Sequence, residues 1–200
     1  MKTMSILTMI TISSCGLPFA ALAGPFGVIP GASLSTLKVV QKLDEQTYLV
    51  EVPMPNSTFE GYVATATTQD GICKITAIGK DYQADSYGMT VKSKFADMRQ
   101  MLREKYGNDK MYDQLNYGSI WNEPKDWSMA VMKHERSLAS FWDSEKKSNL
   151  PENVHAIMLT VNAIGSDTTF LKLTYEFSNI GKCVARKAAV DSRSLYLMIF

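Results

Sequence analysis

Apolar and polar residues alternate with a period of two over residues 47–52 (TYLVEV), 59–67 (FEGYVATAT) and 72–80 (ICKITAIGK), which predicts three strands. Pro53 and Pro55 close the first, and Asp70-Gly71 offers a hairpin turn between the other two. In the third run Ile72, Lys74, Thr76 and Ile78 point one way and Cys73, Ile75, Ala77 and Gly79 the other, so Cys73 is expected on an apolar strand face. Ahead of these, residues 34–43 (LSTLKVVQKL) space Leu34, Leu37 and Val40 by three behind Ser33, a suitable N-cap, and predict a short helix. The strongest helical signal covers residues 91–106, where Phe95, Met98, Leu102 and Tyr106 form a stripe, with Thr90 as cap and Gly107 beyond the last turn.

A polar connector follows at 108–126, then strand-like runs at about 127–133, 136–142, 154–164 and 169–178, with a solvated loop at 144–153 (SEKKSNLPEN). Residues 24–32 begin GPFGVIPG and read as an irregular lead-in. Residues 184–200 form a tail that ends in LYLMIF, an apolar run suited to an added edge strand or an exposed patch. The sum is an α+β domain over residues 24–200, an antiparallel sheet packed by one long and one short helix. Ala-Ile-Gly-x-Asp recurs at 77–81 and 163–167, which raises the reading of two helix-plus-sheet repeats around one core.

The first 23 residues change the picture of where this domain resides. Lys2 precedes the apolar run at 4–12 (MSILTMITI), and Ala21-Leu22-Ala23 satisfies the small-x-small cleavage rule, so the segment reads as a secretory signal with Gly24 as the mature start. Ile12-Ser13-Ser14-Cys15 is similar to a bacterial lipobox, and acylation of Cys15 would instead tether the protein to a membrane surface. An uncleaved anchor is disfavoured by Pro18 and Pro25. Export gives meaning to the cysteine count: Cys73 and Cys183 remain in the mature chain, and a bond between them would close a loop worth about 4–5 kcal/mol. Two separate buried thiols are the alternative. Their spacing excludes a CxxC redox pair and a cysteine zinc site.

Of 200 residues, 46% are hydrophobic and 20% charged, which suits one folded domain rather than a disordered chain. Without Lys2 the 20 remaining Lys and Arg balance the 20 Asp and Glu, so no basic face for nucleic acid is expected. His134 and His155 are the two histidines. Neither has a ligand-spaced or triad partner, no G-x-S-x-G elbow or P-loop occurs, and no cofactor, metal site or catalytic set is assigned. The aromatic residues are the better recognition material. Trp127, Phe141 and Trp142 suit a core, whereas Tyr112, Tyr117 and Trp121 sit among Asn, Asp and Gly and are the candidate recognition surface.

Taken in order, Pro25-Phe26-Gly27, Gly71-Ile72-Cys73-Lys74-Ile75, Lys105-Tyr106-Gly107, Trp121, Trp127, Glu135-Arg136, Phe141-Trp142 and Tyr175-Glu176-Phe177-Ser178-Asn179 with Cys183 resemble small exported proteins of proteobacteria and their prophages. The resemblance covers residues 25 to about 183 and supplies no catalytic residues. The tandem helix-plus-sheet pattern is similar in architecture to beta-lactamase inhibitor protein, which says nothing of activity. The expectation is a periplasmic binding or accessory protein whose partner is a protein or envelope component, contacting a membrane only if Cys15 is lipidated. The competing readings are a cell-envelope hydrolase and an immunity or inhibitor protein.

Overall fold

The computed structural model describes residues 24–143 and 148–197, the last nine through their backbone alone. Within them the chain forms one antiparallel sheet of eight strands: β1 (Lys38–Lys42), β2 (Thr47–Glu51), β3 (Phe59–Thr67), β4 (Gly71–Gly79), β5 (Lys110–Leu115), β6 (Arg136–Asp143), β7 (Val154–Ala163) and β8 (Thr169–Phe177). The order β1-β2-β3-β4-β8-β7-β6-β5 makes two four-stranded meanders that meet at β4 and β8, where Ile75 pairs with Tyr175 and Ala77 with Leu173. Three helices are described, α1 (Met89–Tyr106), α2 (Trp127–Met132) and α3 (Ile180–Leu197). The class is α+β, as the alternating runs and the helical stripe require.

The core lies on one face of the sheet. Ile75, Ala77, Leu171, Leu173, Tyr175, Ile157, Leu159 and Trp142 share that face and are buried. The stripe Val91, Phe95, Met98, Leu102 and Tyr106 of α1 packs over β7 and β8, and Trp127 and Val131 of α2 extend the same layer. The lead-in segment covers the other half: Phe26 turns back in a left-handed conformation (φ 57°) and sets its ring edge-on to Phe59, Tyr62 and Tyr175 at 5.7, 5.0 and 5.8 Å. Gly88 precedes α1 at φ 67°, and a Cβ there would stand 2.1 Å from Trp127, so this site takes glycine alone.

Several expectations are corrected. Residues 34–43 hold no helix beyond a 3₁₀ turn at Leu34–Thr36; Val39 and Val40, stiff at χ1, go into the edge strand β1, which buckles between Val39 and Gln41. The run at 127–133 is helix over Trp127–Met132, not strand, because Trp127, Ala130 and Val131 fall on one side of a turn. The connector 108–126 contains β5, a strand with little buried area to announce it. The apolar tail adds no edge strand as far as it is described, since residues through Leu197 continue α3; residues 198–200, like the leader with Cys15 and the cleavage site, lie outside the described residues. The one-long, one-short helix pattern therefore becomes two long and one short. The two Ala-Ile-Gly-x-Asp segments end β4 and β7, the fourth strand of one meander and the third of the other, so they are not equivalent positions.

The Cys73–Cys183 disulfide is present, with the two Cα atoms 6.5 Å apart. It fastens the first turn of α3 to the start of β4, where a bulge against β3 buries Ile72 and Cys73 together instead of alternately. The Asn179 amide donates to the Asp70 carbonyl at 2.7 Å, and Arg186 pairs with the Asp70 carboxylate, holding its pKa below the usual carboxylate value.

Candidate functional site: the open sheet face

Because side chains alternate across a strand, each core position leaves a neighbour on the opposite face. On β5 to β8 that face carries no helix among the described elements, and its register can be read as rows. One row runs Ile78, Lys172, Thr160, Ala139, Tyr112 from β4 across to β5; the next runs Thr76, Thr174, Met158, Phe141, Lys110. Opposed residues in adjacent strands stand side by side, so each row is a continuous strip of surface.

Over β5 to β8 this surface is hollowed into a cavity of about 780 Å³, lined by Tyr112, Ala139, Phe141, Thr160, Asn162 and Lys172 among others. Ala139 supplies the floor, since its methyl group stands between the larger Tyr112 and Thr160. Tyr112 and Phe141 form one wall, their rings edge to face at 5.6 Å. The Lys110 ammonium sits 4.7 Å from the Tyr112 ring and is held above its ordinary pKa by Tyr112, with Asp143 adding to the effect. Opposite, the Asn162 amide donates to Thr160 Oγ1 at 3.0 Å, leaving the Thr160 hydroxyl proton to be given elsewhere.

His134 reaches the rim but is placed there by backbone geometry. It adopts φ 57° just after α2, its amide donating to Val131 O and the next amide to Ala130 O, the double bond pattern of a left-handed helix stop. His155 is exposed near the start of β7 and does not line the cavity. Arg136 does not pair with Glu135; its guanidinium meets Asp113 at 3.0 Å across β5 and β6. Among the described residues no group of His, Cys, Asp or Glu is placed to hold a metal ion, and no helix is long and apolar enough to cross a membrane.

Of the three aromatic residues expected to form one recognition surface, Tyr112 lines the cavity. Tyr117 is fully exposed on the loop after β5, and Trp121 is half-buried in that loop with its amide donating to Ser119 Oγ at 3.2 Å. Trp127 and Trp142 are core, but Phe141 faces the cavity. Sequence reasoning missed Ala139, Phe141, Thr160, Asn162 and Lys172. The available signal was the polar half of each alternating strand, which reads as ordinary solvent face until the strands are put in order.

No protein-family model matches the chain, no curated protein matches its sequence, and no solved structure matches its fold.

Proposed function

We propose that the protein is an exported, disulfide-linked binding protein that holds a ligand on the open face of its sheet and turns nothing over. The observation that carries this reading is the cavity over β5 to β8, a large concave surface with an aromatic wall and a mostly polar lining, a form that suits a polar ligand. Export rests on the leader at 1–23, and the Cys73–Cys183 bond suits an oxidising compartment, for which the periplasm is the proposed location. Acylation at Cys15 is the alternative fate, with the same domain held at a membrane. The meeting of two meanders at β4 and β8 supports the finer reading of a domain built from two helix-plus-sheet units, although the first has only a 3₁₀ turn where the second has α1.

Two experiments test the proposal. Intact mass of the protein recovered from cells, with and without reductant, reports the cleavage point, any acyl chains and the disulfide together. Soluble fragments of cell envelope added to isotope-labelled protein should shift amide resonances of β5 to β8 and leave α1 unmoved. Turnover of an envelope substrate that His134→Ala abolishes would replace binding with hydrolysis. The inhibitor reading draws on a different feature, the fully exposed Tyr117 and the exposed Ile120 on one loop. It predicts a protein partner whose affinity falls with Tyr117→Ala and not with Tyr112→Ala.

A further inference from the structure

The cavity holds a cation whose neighbours do not answer it. Lys172 lies on β8, in the interior of the sheet, and is half-buried. Its cross-strand neighbours are Ile78 and Thr160, and it makes no ion pair or side-chain hydrogen bond among the described residues. The arginines that line or flank the sheet are matched: Arg99 and Arg103 with Asp109, Arg136 with Asp113, Arg186 with Asp70. Lys110 has Tyr112 and Asp143. Glu176 shares the face with Lys172 but stands four residues along the strand, roughly 13 Å away. A lysine that lines a concave surface and has no counter-charge among the described residues is the arrangement an anionic ligand would complete.

Resting on the binding reading above, we propose that the cavity takes a small ring compound bearing a carboxylate. The carboxylate meets Lys172 and the Thr160 hydroxyl, and the flat face of the ring lies over Ala139 against the Tyr112–Phe141 wall. The spacing fits. Lys172 and Tyr112 are three strand steps apart, about 14 Å between backbones, and the lysine stem occupies part of that span, leaving room for one ring. One lysine with one hydroxyl matches a single negative charge, whereas phosphate sites gather arginines or rows of backbone amides. The wall is indifferent to whether the ring is aromatic or the apolar face of a sugar, since either stacks on Tyr and Phe.

The test is amide NMR titration of the oxidised, processed protein with benzoate and glucuronate and with their neutral counterparts, benzamide and glucose. One carboxylate should bind saturably and shift the amides of Ala139, Phe141, Thr160 and Lys172, and which of the two does so identifies the ring. Its neutral counterpart should bind about tenfold more weakly or not at all, the loss expected for one charge-assisted hydrogen bond. Lys172→Met should weaken the carboxylate about tenfold and leave the neutral counterpart unchanged, while Lys172→Arg retains it. Spectra of both variants away from the cavity report that the fold is intact. Saturable binding at these amides that is equal for charged and neutral probes, or equal in Lys172→Met, overturns the carboxylate assignment and leaves the binding reading standing. If none of the four probes moves these amides, the ring-carboxylate proposal fails, and the envelope-fragment titration then decides the binding reading separately.

Discussion

The Thr169 hydroxyl donates to the Asp85 carboxylate at 2.9 Å, joining the connector ahead of α1 to the first residue of β8. The same carboxylate accepts the amides of Thr90 at 2.8 Å and Val91 at 3.0 Å, two of the donors that every helix leaves unpaired at its start. Gly88 holds the N-cap position and has no side chain to offer, so Asp85, three residues earlier, performs the capping. Its backbone is equally engaged: the amide donates to Asp167 O at 2.8 Å, and the carbonyl accepts the Ser128 hydroxyl at the start of α2. One buried residue therefore sets α1, α2 and the β7–β8 turn relative to one another.

Replacing Asp85 with Ala should destabilise the fold by about 2–4 kcal/mol, because it removes a cap and leaves two amides and a hydroxyl in the interior without an acceptor. Thr169→Val deletes one of the three bonds and should lose about 1 kcal/mol. Urea unfolding of both variants checks the order, and an Asp85→Ala no weaker than Thr169→Val would mean that the cap is dispensable.

Asp109, the most buried of the carboxylates held below their ordinary pKa, contributes a pH dependence. Its carboxylate is almost wholly buried, and burial works to raise its pKa, but the hydrogen bonds from Arg99, at 2.6 and 3.1 Å, and the charge of that guanidinium help to hold it below the ordinary value. A carboxyl with a lowered folded pKa binds its proton more readily in the unfolded chain, so the stabilisation is complete above about pH 4 and is lost as pH falls through the folded value. Unfolding measured from pH 6 down to pH 2 should show a decline that is shallower in Asp109→Asn. An identical slope in the variant would assign the acid sensitivity to other groups.

The disulfide should matter more to the unfolded chain than to any contact it makes. Closing 110 residues restricts the denatured ensemble, so reduction or the Cys73→Ala/Cys183→Ala pair should cost about 4–5 kcal/mol. Thermal melts with and without reductant measure this directly, and the double variant should be indifferent to reductant.

Long periodic elements were legible before the fold was seen, and their opposites were not. β3 and the stripe of α1 announce themselves because apolar residues such as Tyr62, Ala64, Phe95 and Met98 recur at the period of the element. β5 is invisible by the same rule: at the sheet margin Lys110, Met111 and Tyr112 are all exposed, so burial imposes no alternation on them. α2 is too short for its period to separate it from a strand, and it depends on long-range bonds such as Ser128 N to Ser86 O at 3.0 Å. The cavity was the least legible part. Lys172, Thr160, Ala139 and Tyr112 come from four separate strands, and only the order β8-β7-β6-β5 brings them into one row.

His134 separates a structural role from a chemical one. As the residue after the α2 stop it sits at φ 57°, a region that disfavours any side chain with a Cβ and suits glycine. His134→Gly should raise stability by about 0.5–1 kcal/mol, while His134→Ala keeps the same backbone strain and should be near neutral. Both substitutions delete the imidazole, so a residue serving as general base would lose its activity equally in the two variants, whatever their stabilities. The expected result is a stability difference between Gly and Ala with carboxylate binding unchanged in both, read by urea unfolding and by the same amide titration. Equal stabilities would show that the left-handed conformation imposes no cost at this position.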